Sequence, residues 1–146
     1  MSLLSRLTRV VTKSIDDAKA DWQQSMAKIR EAEQRRPRYL PAAIVGESQY
    51  QDAIEDLYVS ARVELVRELD NPFDADAIVV LSEKGRTIGY LPRDSWLRRA
   101  LIRENKGCVA KVRELTGKGK KYTGVVLDVA LVAGQPIAAR QYKAEA

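Results

Sequence analysis

The segment Arg67-Glu68-Leu69-Asp70-Asn71-Pro72-Phe73-Asp74-Ala75-Asp76-Ala77-Ile78 decides the reading of this chain. Upstream of it, Val59–Leu69 alternates, with Val59, Ala61, Val63 and Leu65 on one face and Arg62 and Glu64 on the other. That is the period of a half-buried strand. Asn71-Pro72 breaks the run as a turn, and Ala77–Leu81 is a second β run. The chain therefore goes strand, turn, strand, with its single phenylalanine in the turn instead of in either strand.

The same grammar continues outward. Glu83-Lys84-Gly85 reads as a hairpin turn into Arg86–Leu91. Pro92 leads into a helix from Asp94 to Asn105, with Trp96, Leu97, Ala100 and Leu101 on its apolar face, Asp94 as N-cap and Gly107 as the C-terminal glycine. Cys108–Leu115, the turn Lys118-Gly119-Lys120 and Tyr122–Val132 form a last hairpin. Before the motif, Ala42–Gly46 is a compact apolar run and Tyr50–Leu57 suits one or two helical turns. Short strands with two helices predict a mainly β, α+β domain built as a small, partly open barrel over residues 42–132.

Residues 1–36 read differently. Leu4, Leu7, Val11, Ile15, Ala18, Trp22, Met26 and Ile29 recur in steps of three and four, the period of a long amphipathic helix that Pro37 and Pro41 end. A helix of about 33 residues runs close to 50 Å, longer than the side of a domain of about 100 residues. Residues 3–30 are therefore expected to pair with a second copy or dock on a partner protein, unless the helix folds back on its own domain. Residues 133–146 read as a C-terminal tail. Asp16, Asp17, Asp21, Glu31 and Glu33 interrupt the basic face and speak against a transit peptide, and no stretch has signal-peptide character.

Composition narrows the chemistry. The chain has 146 residues, no histidine and one cysteine, Cys108. Cys/His zinc sites, Ser-His-Asp triads and Cys-His dyads are excluded together. No intramolecular disulfide can form, so a reducing, cytoplasmic setting is expected, and no apolar run of membrane-spanning length exists. The net charge of +5 is unevenly spread. Residues 47–83 hold two basic against ten acidic residues, whereas 84–121 hold twelve basic against three acidic. A basic face beside an acidic one suits a polyanionic partner, although a solvated surface laced with ion pairs accounts for the same counts.

Three segments in order carry a family resemblance: Val45-Gly46-Glu47-Ser48-Gln49-Tyr50, the R-E-x-x-N-P-[YF]-D-x-x-A-I pattern of residues 67–78, and Ile88-Gly89-Tyr90-Leu91-Pro92-Arg93. Together they resemble the HIRAN domain, a module found ahead of the motor in fork-remodelling helicases and alone in bacteria and phages. The resemblance covers roughly Ala42 to Val132. It implies an OB-like barrel that holds the 3′ end of single-stranded DNA, in a repair or replication context. An aromatic pair would grip terminal bases and an aspartate would read the terminal hydroxyl. On this pattern Phe73 takes the aromatic position, Asp74 the aspartate position and Arg93 a phosphate-meeting basic position, while Tyr90 replaces a polar ring. Asn71, Tyr50 and Gln49 complete the implied nucleic-acid-binding set. The chain departs from the helicases after Gly46, where their Arg-Tyr-Tyr string is Ser48-Gln49-Tyr50.

Read from the residues alone, these positions keep two meanings. Phe73 is a stacking platform or the plug of a small barrel. Asp74 and Asp76 bind Mg²⁺ or simply end a turn. Lys118, Lys120 and Lys121 contact phosphate, or form a charged tip that protects a sheet edge. Arg98, Arg99 and Arg103 track a backbone or keep a helix wet, and Cys108 is a small buried hydrophobe. Gly117-Lys118-Gly119-Lys120 lacks P-loop spacing. The expectation is a non-enzymatic module for single-stranded or end-bearing DNA, with no cofactor and no metal. The alternatives are an adaptor that dimerises through its N-terminal helix, favoured by the Ser48-Gln49 departure, and a carboxylate-and-metal nuclease.

Overall fold

The computed structural model describes residues 3–35, 38–117 and 119–144. The chain divides into two compact units, residues 1–36 and 37–146. The first is the helix α1, Leu3–Arg35. In its side-chain-defined part, Ile15, Trp22 and Ile29 are exposed, and Met26 is half-buried. Leu4, Leu7 and Val11 of the stripe lie outside the residues whose side chains are described. No helix among the described residues is long and apolar enough to cross a membrane.

The second unit is the expected small barrel. Its strands are β1 (Leu40–Ala43), β2 (Arg62–Leu69), β3 (Ile78–Ser82), β4 (Thr87–Tyr90), β5 (Gly107–Thr116), β6 (Gly124–Val132) and β7 (Ala139–Gln141). The hydrogen-bonded path runs β1-β6-β5-β2-β3-β4, with β7 added parallel to the end of β2. The two ends of this path meet. Val45, just past β1, exchanges both backbone hydrogen bonds with Tyr90 at the end of β4, at 2.8 and 2.9 Å. Gly89 is what allows that closure: a Cβ there would sit 2.8 Å from the Val45 carbonyl oxygen and 2.9 Å from the Ile44 side chain. The barrel stays open where β2 meets β5 across only two paired positions, Arg62 with Lys111 and Val63 with Ala110.

The core follows the alternation of the strands. Val63, Leu65, Ile78, Val80, Ile88, Val112, Leu127 and Val129 point inward, joined by Ile54 of α2 (Gln51–Glu55) and by Leu97 and Leu101 of α3 (Trp96–Ile102). Each such side chain contributes about 1.5–3 kcal/mol on burial. Val66, Val79 and Leu81, on the opposite face of the same strands, form a second small cluster with Tyr90.

Several boundaries differ from the expectation for physical reasons. The N-cap of α3 is Ser95, whose hydroxyl accepts from the Leu97 amide at 3.2 Å, not Asp94. The helix ends at Ile102, and Asn105, with φ 51°, makes the left-handed turn assigned to Gly107. Gly107 instead opens β5, where a Cβ would run into the Gln135 carbonyl oxygen. Trp96 is 42% exposed rather than part of the core face. Cys108 is only partly buried, and burial pushes its thiol up to about 11. Residues 133–146, read as a tail, contribute β7.

Candidate nucleic-acid interface

The turn between β2 and β3 is built by its own side chains. Asp70 adopts φ 58°, and the Asn71 carboxamide oxygen accepts from the amides of Phe73 (2.9 Å) and Asp74 (3.3 Å). This is an Asx turn, the local structure that asparagine favours. With Pro72 rigid between them, the backbone is fixed and the Phe73 ring is turned outward. Phe73 is 76% exposed, so it is not the plug of the barrel.

Asp74 is clamped from below. Arg98 of α3 donates to both its carboxylate oxygens, at 2.6 and 2.7 Å, and the Asp76 amide donates to Oδ1 at 3.1 Å. The Arg98 hydrogen bonds, foremost, hold the Asp74 carboxyl below its usual range against the opposing effect of burial. Arg98 is thus committed to a bidentate ion pair instead of being spread on the helix surface. Arg93 donates to the Phe73 carbonyl at 2.7 Å, and the side chain remains 74% exposed.

Beside this turn lies the one charged residue buried among those described, Glu68, 1% exposed. It sits on the outer face of β2, two residues beyond Val66. Its Oε1 accepts from the Tyr90 hydroxyl (2.9 Å) and the Asn71 amide (3.1 Å), and its Oε2 from Arg140 of β7 (2.9 Å). Burial, and then the Glu68 hydrogen bond, push the Tyr90 hydroxyl far above its ordinary value, so it keeps its proton and donates it in the hydrogen bond to Glu68. Tyr50 packs on Tyr90 with ring centroids 6.4 Å apart and planes at 47°.

The turn and the Tyr50–Tyr90 pair open onto one cleft of about 330 Å³, while Glu68, Arg98 and Arg140 stand behind its lining. Seven expected residues meet there, namely Gln49, Tyr50, Asn71, Phe73, Asp74, Tyr90 and Arg93, together with Val45, Leu91 and Tyr142. Gln49 and Tyr50 also form a wall of an adjoining cleft of about 600 Å³, lined by Arg86, Arg140 and Lys143 as well as Asp52. The lysines are elsewhere. Lys120 and Lys121 stand on the β5–β6 hairpin tip, which the Gln51 side chain holds through two hydrogen bonds to Thr123, and Lys118 lies outside the described residues. Asp76 makes an ion pair with Arg67 at 3.3 Å, and no cluster of three potential metal ligands occurs among the described residues.

A family model, the HIRAN domain, matches residues 39–128, which hold every lining residue of this cleft except Tyr142. The chain belongs to the HIRAN family. Two solved structures are similar to it. One is the HIRAN domain of human HLTF, at 24% identity over 64% of this chain and 75% of that one, with a TM-score of 0.49. The other is a protein from Lactobacillus plantarum, at 21% identity over 65% of this chain and 97% of that one, also with a TM-score of 0.49. No curated protein matches the chain.

The HIRAN motif thereby acquires a physical meaning in this molecule. Its Glu68, Asn71, Phe73 and Asp74 are a buried anchor, a turn-former, an exposed ring and a clamped carboxylate. Three participants were not visible beforehand as parts of the site: Glu68, Arg98 and the β7 residues. A glutamate breaking the apolar rhythm of a strand was the available signal for the first. The others depend on partners that no local pattern announces.

Proposed function

We propose that this HIRAN protein is a non-enzymatic binding module for single-stranded or end-bearing DNA, working in DNA repair or replication in a reducing, cytoplasmic setting. The observation that carries the reading is the outward Phe73 ring, held rigidly over a cleft that also contains Tyr90, Asp74 and Arg93. Phenylalanine so exposed contributes nothing to the core, and an aromatic platform binds any base through its π-face. Both Asp74 oxygens are occupied by Arg98, yet each carboxylate oxygen has two acceptor sites. Oδ2 therefore retains capacity for a ligand hydroxyl such as that of a 3′ end. Arg93 at the rim, with Arg86 and Lys143 in the adjoining cleft, supplies the charge that phosphates need. Lys120 and Lys121 on the hairpin tip serve at most as a second phosphate contact, away from the bases, and Lys118 is expected to act with them.

Binding is expected to be weak, micromolar or poorer, because Gln49 presents an amide at the cleft and Glu68 and the acidic segment around it oppose phosphate. Anisotropy titration of a short labelled single strand at two salt concentrations tests this. Affinity that falls as salt rises supports it. Salt-independent binding, or none at low salt, contradicts it.

A second reading concerns α1. Ile15 and Ile29, 51% and 49% exposed, lie on one stripe with Trp22 at 66%. We propose that two copies of the chain pair through residues 3–30, which would make a HIRAN dimer or, without DNA recognition, an adaptor. Light scattering of the intact chain beside Trp22→Glu checks this: a dimer that the substitution dissociates is expected, and a wild-type monomer refutes it.

A further inference from the structure

The C-terminal segment is tied to the approach of the Phe73 turn by three consecutive contacts. Arg140 reaches Glu68 at 2.9 Å, the Gln141 side chain donates to Asp70 at 2.8 Å, and the Tyr142 amide donates to the Leu69 carbonyl at 3.0 Å. The strand register sets Ala139, Arg140 and Gln141 opposite Arg67, Glu68 and Leu69, and the side-chain contact to Asp70 carries it to the last residue before Asn71. The first of these contacts is to a buried carboxylate, whose burial is costly unless its oxygens find hydrogen-bonding and charged partners.

Tyr142 is thereby delivered, half-buried, to the wall of the cleft that holds Phe73. The remaining aromatic residues are committed: Tyr90 is bound through its hydroxyl to Glu68, and Tyr50 packs on Tyr90. Phe73 alone offers a base one ring face, and stacking is strongest where a base is covered on both sides. Gln49, the other neighbour at the mouth, offers an amide.

We infer that Tyr142, which lies beyond the family match, is a base-binding residue: β7 docks on Glu68 and Asp70 so that the Tyr142 ring supplies the second aromatic wall of the Phe73 cleft. This rests on the DNA-binding reading above and adds to it a residue from outside the barrel strands. It also gives the Arg140–Glu68 ion pair a task, because the pair positions the wall without touching the ligand.

The test uses the full chain and a short oligothymidine strand. Tyr142→Leu keeps apolar bulk but removes the π-face, and is expected to weaken binding about fivefold or more, the fold-change of one lost base stack. Tyr142→Trp is expected to bind like the wild type, with strand-dependent quenching of tryptophan emission beyond that of Trp22 and Trp96. Unchanged affinity of Tyr142→Leu while Phe73→Ala is impaired would overturn the role of Tyr142 and leave the DNA reading standing. If Phe73→Ala is also unimpaired, or the wild type does not bind, the reading itself fails. Should Tyr142→Leu not fold, a Tyr142→Trp emission that saturating strand leaves unquenched overturns the inference.

Discussion

The two faces of the β2–β3–β4 wall are built on opposite rules. Its inner face carries Val63, Leu65, Ile78, Val80 and Ile88, apolar and buried in the barrel core, until Arg67 at its end, opposite Ile78. Its outer face starts apolar at Val66, Val79 and Leu81 and then turns polar, with Glu68 at 1% exposure and the Tyr90 hydroxyl bonded to it. The inner face needs only volume, since any well-packed aliphatic set holds a barrel together. The outer face needs partners, because a buried carboxylate without hydrogen bonds costs several kcal/mol. Stability is concentrated on the first face and the polar geometry of the proposed site on the second, and Glu68 is where the two requirements meet.

That contrast is sharpest within β2 itself. Glu64 and Glu68 share a face of one strand, but Glu64 is exposed and Glu68 is not. Glu68→Ala strands Arg140, Asn71 and Tyr90 and is expected to destabilise by about 3–5 kcal/mol, whereas Glu64→Ala is expected to stay within about 0.5 kcal/mol. Urea unfolding of both variants measures the difference, and equal midpoints would erase the distinction drawn here.

A smaller effect is expected at Asp74. Losing the bidentate Arg98 bonds in Asp74→Asn should cost on the order of 2 kcal/mol. The sign of its pH dependence is set by the depressed carboxyl. Its contribution is present above the ordinary value of 3.8 and is lost as pH falls through the lower folded value. Wild-type stability should therefore fall more steeply than that of Asp74→Asn below about pH 4, read from unfolding midpoints across an acid series. Parallel curves would show that the clamp adds nothing.

Phe73→Ala should do the converse. At 76% exposure its removal is expected to leave the unfolding midpoint nearly unchanged while weakening single-strand binding by about 1–3 kcal/mol. A large loss of stability would move Phe73 to the structural side of the comparison. The smallest change is expected at Lys143→Gln, in the adjoining cleft. One lost phosphate contact should lower the logarithmic salt slope by about 0.7 with little change in fold stability. An unaltered slope removes that cleft from the phosphate path.

How much of this was legible from residues alone follows the same division. The inner face announced itself through alternation in Val59–Leu69 and the compact run Ala77–Leu81, and the turn through Asn71-Pro72. Seven residues of the implied binding set meet in one cleft because the Val45–Tyr90 bridge brings the motif segments side by side. What stayed hidden was supplied from a distance. Arg98 is 24 residues from Asp74, and Arg140 is 72 from Glu68. Such pairs leave no periodic trace, so β7 read as a tail and Arg98 as a surface arginine. The plug alternative for Phe73 failed for a related reason: its direction is set by the Asx turn, which composition does not reveal.

Titration of isotopically labelled protein with a short single strand, followed residue by residue by NMR, confronts the site most directly. The expected result is a set of shifts confined to Gln49 and Tyr50, Asn71–Asp74, Tyr90, Arg93 and Tyr142, with Arg86 and Lys143 of the adjoining cleft, saturating together and weakening as salt rises. Shifts restricted to the hairpin tip around Lys120 and Lys121, or to α1, with the Phe73 cleft silent, would contradict it.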